Sequence, residues 1–360
     1  MISNALRIAT IAIALYAAPL AAQQAKPLEL DIANGWTHEQ SGLVFPEEMS
    51  ELPFLSATQF VNAGWDVALQ YGPAGLSDAV SVYVYQAAVQ DIGLLFSESR
   101  RSLEARKQVY SSVTPLGPVA AFTPPGQNSA SGLRIAYDTQ GAYKSTALAI
   151  APLGRDWVVK FRVSSTTSSA TELDRRLTDA IQTLGWPADK RRHPVGIEVQ
   201  SCSTSMAPFK KKAKRVKSDG GNALLNALFA SAISDESEET DTTETVASLY
   251  CRDQSFEFPF RIYRPDNAVD RYVVSLGDSG KAVFVEPDMA SMLLDEGSSK
   301  KSADYVIRMV TPGLIETYPT FDRMPSPDQA VSVIETAPPV SSVGRSGDDK
   351  TINLGDGAFK

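Results

Sequence analysis

Eight consecutive residues, Lys210-Lys211-Lys212-Ala213-Lys214-Arg215-Val216-Lys217, hold six cations. Near an anionic surface each Lys or Arg of such a run gains about 1 kcal/mol, and salt weakens the gain. Taken alone, the run suggests a nuclear-targeting or nucleic-acid-binding patch. The whole chain opposes both, with 34 Lys+Arg against 42 Asp+Glu and a net charge of −8. The remaining targets for Lys210, Lys211, Lys212, Lys214, Arg215 and Lys217 are an anionic lipid, lipopolysaccharide phosphates or an acidic envelope protein. The apolar segment 222–233 follows, a helix candidate able to lie in a membrane interface as an amphipathic element. A purely structural alternative stands beside this one. In it the run is a solvated loop, neutralised across a helical hairpin by 235–244, where six residues of ten are acidic.

The catalytic patterns fail on spacing. Gly277-Asp278-Ser279-Gly280 begins like the nucleophile segment of trypsin-like serine proteases, but Lys281 stands where a second glycine belongs. A tight turn accounts for these residues. A triad would also need a positioned histidine, and the chain has only His38 and His193. His38-Glu39 opens like the zinc-protease H-E-x-x-H, yet position 42 is Gly, so both histidines read as ordinary surface or partly buried residues. Ser298-x-x-Lys301 lacks the companion motifs of penicillin-binding enzymes. No glycine-rich phosphate loop occurs. Asp66, Asp78, Asp156, Asp253, Asp266 and Asp270 supply carboxylates for a glycosidase-like pair, but no motif selects two of them. Two cysteines and two histidines leave little for metal or haem chemistry, so no cofactor and no metal are expected.

The N-terminus sets the compartment. Arg7, an apolar run over 8–18, Pro19, and then Ala21 and Ala22 read as a cleaved bacterial signal peptide over 1–22. The mature chain is then periplasmic or secreted. In that oxidising space Cys202 and Cys251 are expected to form one structural disulfide. No later segment is long and apolar enough to span a membrane.

The elements that position these residues follow from periodicity. Asn34-Gly35 signals a hairpin turn. Strands are expected at 43–45, 59–61, 66–71, 79–86, 133–137, 147–150 and 157–163. The 79–86 strand is apolar on both sides and so interior. Asp91 caps a helix over 91–109, and Ser169 with Glu172 forms a capping box for a second that Gly185 and Pro187 end. This order predicts an α+β sandwich over 26–187, one antiparallel sheet with two helices packed on it. Residues 188–194 form a polar linker. A second, β-rich domain over 195–322 carries the charged helical insertion 209–245. Its strands are expected at 195–201, 246–251, 256–262, 271–276, 281–286 and, last, 305–310, with a short helix at 289–294. Residues 323–360, rich in Pro, Ser, Gly and Asp, read as a disordered tail.

Residues 41–187 resemble the Mog1/PsbP-like α+β domains. The resemblance lies in the order of elements, in Asp156-Trp157-Val158-Val159-Lys160-Phe161-Arg162, and in the helix that ends at Trp186-Pro187. It covers under half the chain and transfers no site residue. It implies a non-catalytic helper of a larger assembly. The expected function is therefore binding of an envelope protein or an anionic surface component. A carrier of a small molecule, glycan or lipid is the second reading. A carboxylate-based hydrolase is the third, and it requires two carboxylates with separated pKa values in one cleft.

Overall fold

The computed structural model describes residues 25–189, 191–206, 209–217, 220–235, 249–255, 259–294, 303–345 and 351–355. The expected signal peptide, the acidic residues that follow Asp235, Phe256 and Phe258, and Ser298 with Lys301 lie outside the described residues.

Strands with two apolar faces take the centre of the first sheet. Asp78–Gln86 sits between Asp66–Tyr71 and Trp157–Ser165, and the sheet continues outward through Ser145–Leu153 and Gly132–Gly141 to Tyr110–Pro115. On the other side of Asp66–Tyr71 lie Leu52–Val61 and Lys26–Pro27. All these pairings are antiparallel. Helix α1 (Ile92–Glu104) is capped by the Asp91 carboxylate, which accepts from the Leu94 N–H at 2.8 Å. Helix α2 (Ala170–Thr183) starts at the Ser169–Glu172 capping box read from the sequence. Its Leu173, Leu177 and Ile181 bury one sheet face with Val80, Val82, Val84, Val159, Phe161 and Val163.

The opposite face meets two partners. Ile92, Leu95 and Phe96 of α1 pack there with Leu148, Ile150 and Val158, and the same cluster takes in Tyr263, Val273 and Ala282 from the second sheet. The two sheets thus share core. Polar contacts reinforce the seam. The Tyr263 hydroxyl donates to Glu98 at 2.5 Å, and Arg261 donates to the Ser97 hydroxyl at 2.7 Å. The Asp91 carboxylate accepts from the Tyr250 N–H at 3.0 Å.

The second sheet is a meander. Tyr250–Asp253, Arg261–Pro265, Tyr272–Ser275, Ala282–Pro287, Tyr305–Thr311, Leu314–Thr317, Ser341–Gly344 and Ile352–Leu354 follow one another in space as in sequence. Gln200–Ser201 adds a short parallel edge beside Tyr250–Asp253. Helix α3 (Gly220–Asp235) packs on the far end of the meander, and α4 (Met289–Leu294) packs on α3. Helix α5 (Pro327–Thr336) covers the other face through Ala330 and Val331.

Several expectations need correction. The fold is mainly β, 38% strand against 20% helix, with five helices among the described residues. The layout of one sheet with two helices is too simple, because the second sheet takes part of one face of the first. The described part of the 323–360 tail is ordered: Ser326 caps α5, Pro327 opens it, and two further strands extend the meander. Serine and proline there start a helix instead of breaking one. The strand expected over 195–201 shrinks to Gln200–Ser201, and the one at Tyr305–Thr311 is not the last.

Candidate functional site

The six cations stand on an anchored backbone. Residues 209–217 run as an extended strap beside the second sheet. Phe209 meets Tyr272 edge to face, with 6.3 Å between ring centres. Ala213 is buried, its N–H donating to Gln329 Oε1 at 3.0 Å and its carbonyl accepting from Gln329 Nε2 at 2.7 Å. The Lys214 N–H donates to the Asp322 carboxylate at 2.9 Å, and Val216 N–H donates to the Thr320 carbonyl at 2.8 Å. Lys210, Lys211, Lys212, Lys214, Arg215 and Lys217 are all exposed. Arg323 and the Lys214 N–H hold the Asp322 carboxyl down at about 2, so the carboxylate beside the strap is ionised and already engaged.

The strap ends at a corner where two helices begin. The Thr320 hydroxyl donates to Asp288 Oδ2 at 2.9 Å. Asp288 is fully buried, 0% exposed. It caps α4 by accepting from the Ala290 N–H at 3.0 Å, and from α3 it accepts Asn226 Nδ2, also at 3.0 Å. Burial alone would raise its carboxyl, but hydrogen bonds from Ser291, Asn226 and Thr320 hold it below the usual range. From this corner α3 buries Ala223, Ala227 and Ala230 while Leu224 and Leu228 stay exposed. Helix α4 exposes Met289, Met292, Leu293 and Leu294. The expected amphipathic element is not amphipathic: α3 is apolar around its circumference, so burying one side leaves another in solvent. Six large apolar side chains on two touching helices exceed the scattered singles of an ordinary surface. Among the described residues no helix is long and apolar enough to cross a membrane.

Cys202 and Cys251 are bonded, as the oxidising-compartment reading requires. A bonded pair is compatible with an extracellular location. His193 is partly buried, as read from the sequence, and His38 is buried outright. His38 is packed between the edges of Trp36 and Trp157, and its Nε2 donates to the Gly64 carbonyl at 2.8 Å. Burial lowers its pKa, which keeps the ring neutral. His193 Nε2 meets Asp189 at 2.6 Å. Burial would raise Asp189, but His193 and the Arg191 and Gly154 N–H groups hold it down at about 2. This pair pins the expected linker to the first sheet.

Sequence reasoning missed one constellation. The turn 277–280 folds back onto the first sheet, and Asp278 Oδ2 pairs with Lys160 Nζ at 3.0 Å. Lys160 also lies 4.6 Å from the Tyr83 ring centre. Gly280 permits the approach: its φ is +71°, and a Cβ there would lie 2.7 Å from the Tyr85 ring. Tyr83, Tyr85, Lys160 and Asp278, with Asp66, Arg162, Ser99 and Ser102, line a cleft of about 240 Å³ between the sheet, α1 and the turn. Burial raises the Asp66 carboxyl to about 7, against the pull of Lys160 and Lys281. Burial acts the same way on Asp278, but contact with Lys160 holds that carboxyl below its ordinary value. The two carboxylates of the cleft therefore differ in protonation near neutrality, as the hydrolase reading requires, but Asp278 is already engaged by Lys160.

A pH dependence follows. Asp66 binds a proton more tightly folded than unfolded, so its contribution to stability is full below pH 4 and is lost as pH rises through 7. Relative to Asp66→Asn, the parent chain should lose about 4 kcal/mol between pH 4 and 8, taking about 1.4 kcal/mol per pKa unit. Urea titrations of both proteins across that range measure it, and parallel stability curves would refute it.

The chain matches no known family model and no curated protein sequence.

Proposed function

We propose that this chain is a non-catalytic protein of the bacterial envelope that docks on an anionic lipid surface. One observation carries the reading: six exposed cations on an anchored strap that ends where α3 and α4 present Leu224, Leu228, Met289, Met292, Leu293 and Leu294 to solvent. Charge attracts the strap to phosphate headgroups, and apolar side chains gain by entering the headgroup–acyl boundary. An acidic protein partner would use the strap but has no need of methionine and leucine beside it. A periplasmic or secreted location and the Mog1/PsbP-like reading of residues 41–187, with its implied helper role, belong to the same proposal.

Vesicle sedimentation tests it. The protein should bind vesicles of mixed phosphatidylcholine and phosphatidylglycerol, should ignore phosphatidylcholine alone, and should release with added salt. Replacing all six cations by glutamine should weaken binding at least a hundredfold, since about 1 kcal/mol per cation, partly screened, is at stake. Leu224→Ser with Met292→Ser should weaken it further while leaving the salt dependence intact. Absence of binding by the parent chain, or equal binding after the six replacements, overturns the proposal. Capture of an acidic protein in place of lipid would redirect it.

A further inference from the structure

The cleft beneath the 277–280 turn is built unlike a structural seam. Tyr85 and Ser99, 1% and 3% exposed, both line it, and neither hydroxyl has a hydrogen-bond partner among the described residues. A buried hydroxyl left unpaired costs about 1–3 kcal/mol, and folds usually avoid that cost. Here two are left at one place. The cations there are also in excess. Three cations, Lys160, Arg162 and Arg106, face two carboxylates, Asp278 and the partly protonated Asp66; Asp278 pairs with Lys160 and is attracted by both arginines, but neither arginine makes an ion pair among the described residues. The Arg162 guanidinium donates to the Tyr83 hydroxyl at 3.1 Å, which fixes its plane and leaves other N–H groups for a ligand. Phe60, Leu103 and Leu148 supply apolar wall. The floor is the first sheet, and the lid is a helix and a turn, so the arrangement is held by rigid elements.

We infer that this cleft binds a small molecule bearing an oxyanion, a carboxylate or a phosphate, which docks on Arg162 and accepts hydrogen bonds from the Tyr85 and Ser99 hydroxyls. Two unpaired hydroxyls and a guanidinium without an ion-pair partner call for acceptor oxygens with negative charge. The volume, about 240 Å³, lies below the roughly 300–1,000 Å³ of sites for drug-sized ligands, so the occupant has only a few carbons. The site is separate from the basic strap: it lies on the first sheet and needs no membrane.

The test uses the full chain and three probes, lactate, inorganic phosphate and neutral glycerol, with binding read by calorimetry and by the melting temperature. Lactate or phosphate should bind in the millimolar range or tighter and raise the melting temperature; glycerol should do neither. Which anion binds tighter identifies the headgroup. Tyr85→Phe with Ser99→Ala removes only the unpaired hydroxyls, so the chain should fold as before while the dissociation constant rises at least tenfold. Arg162→Met should abolish binding. Where that variant fails to fold, the hydroxyl variant decides alone. No binding of either anion, or unchanged affinity after loss of both hydroxyls, overturns the inference.

Discussion

A chain in which Cys202 and Cys251 are both serine should unfold about 4 kcal/mol more easily than the parent. The bond spans 49 positions, and tethering a loop of that length removes about 14 cal/mol/K of entropy from the unfolded chain. The loop contains the strap and α3, which have their own anchors at Gln329, Asp322, Thr320 and Asp288. The tether therefore acts on the unfolded state more than on native contacts. It also secures the parallel pairing of Gln200 beside Cys251 at the edge of the second sheet, which is only two residues long. Guanidinium titration of the oxidised parent and the double-serine chain measures the difference. A loss below 1 kcal/mol would show that the unfolded chain is already compact around this loop.

The second large effect sits next door. Arg264, across the ladder from Cys251, is 0% exposed, and its Nε lies 2.8 Å from Asp253 Oδ2 without the alignment of a hydrogen bond. The guanidinium also donates to the carbonyls of Ala268, at 2.7 Å, and Thr204. It therefore ties the segment after Cys202 to the 266–268 turn. Arg264→Met should cost about 3–5 kcal/mol, because among the described residues it leaves the buried Asp253 carboxylate with the Ser255 N–H as its remaining donor. Adding Asp253→Leu should restore most of that loss, since replacing both members of a buried pair by apolar groups is often close to neutral. Urea denaturation of the single and double variants separates the contributions. A double variant no more stable than the single one would show that the bonds to Ala268 and Thr204, not the charge pair, carry the effect. Arg264 and the disulfide are neighbours, so the two losses should not add.

Local signals were readable and distant ones were not. The capping box at Ser169, the short helix at Met289–Leu294 and the hairpin across 277–280 each depend on residues a few positions apart, and each stands where spacing placed it. Alternation in Asp78–Gln86 identified an interior strand from its own side chains. The Lys160–Asp278 pair joins residues 118 positions apart. Turn chemistry already accounted for Asp278, so nothing local reserved it for a second role. Lys160 and Arg162 share the polar side of their strand, and only the second sheet and α1 show what that side faces. The charge of the strap was plain from composition. Its anchoring was not, because Gln329 belongs to a stretch whose composition argued for disorder, and Asp322 stands at that stretch's edge.

The connectivity of the two sheets sets an order of assembly. In the meander every antiparallel strand pairs with its sequence neighbour, and even the two connections that carry α4 and α5 join adjacent strands, so its loops close at lower entropy cost than the first sheet's. The first sheet must instead bring Gln86 against Trp157 across the whole of α1 and four further strands. Contacts that distant slow folding. The slow step in refolding should therefore be the zipping of Asp78–Gln86 onto Trp157–Ser165. Until that seam closes, Tyr263, Val273 and Ala282 of an already formed meander have no apolar surface to rest on, which makes this face the aggregation-prone side of a chain caught part-way through folding.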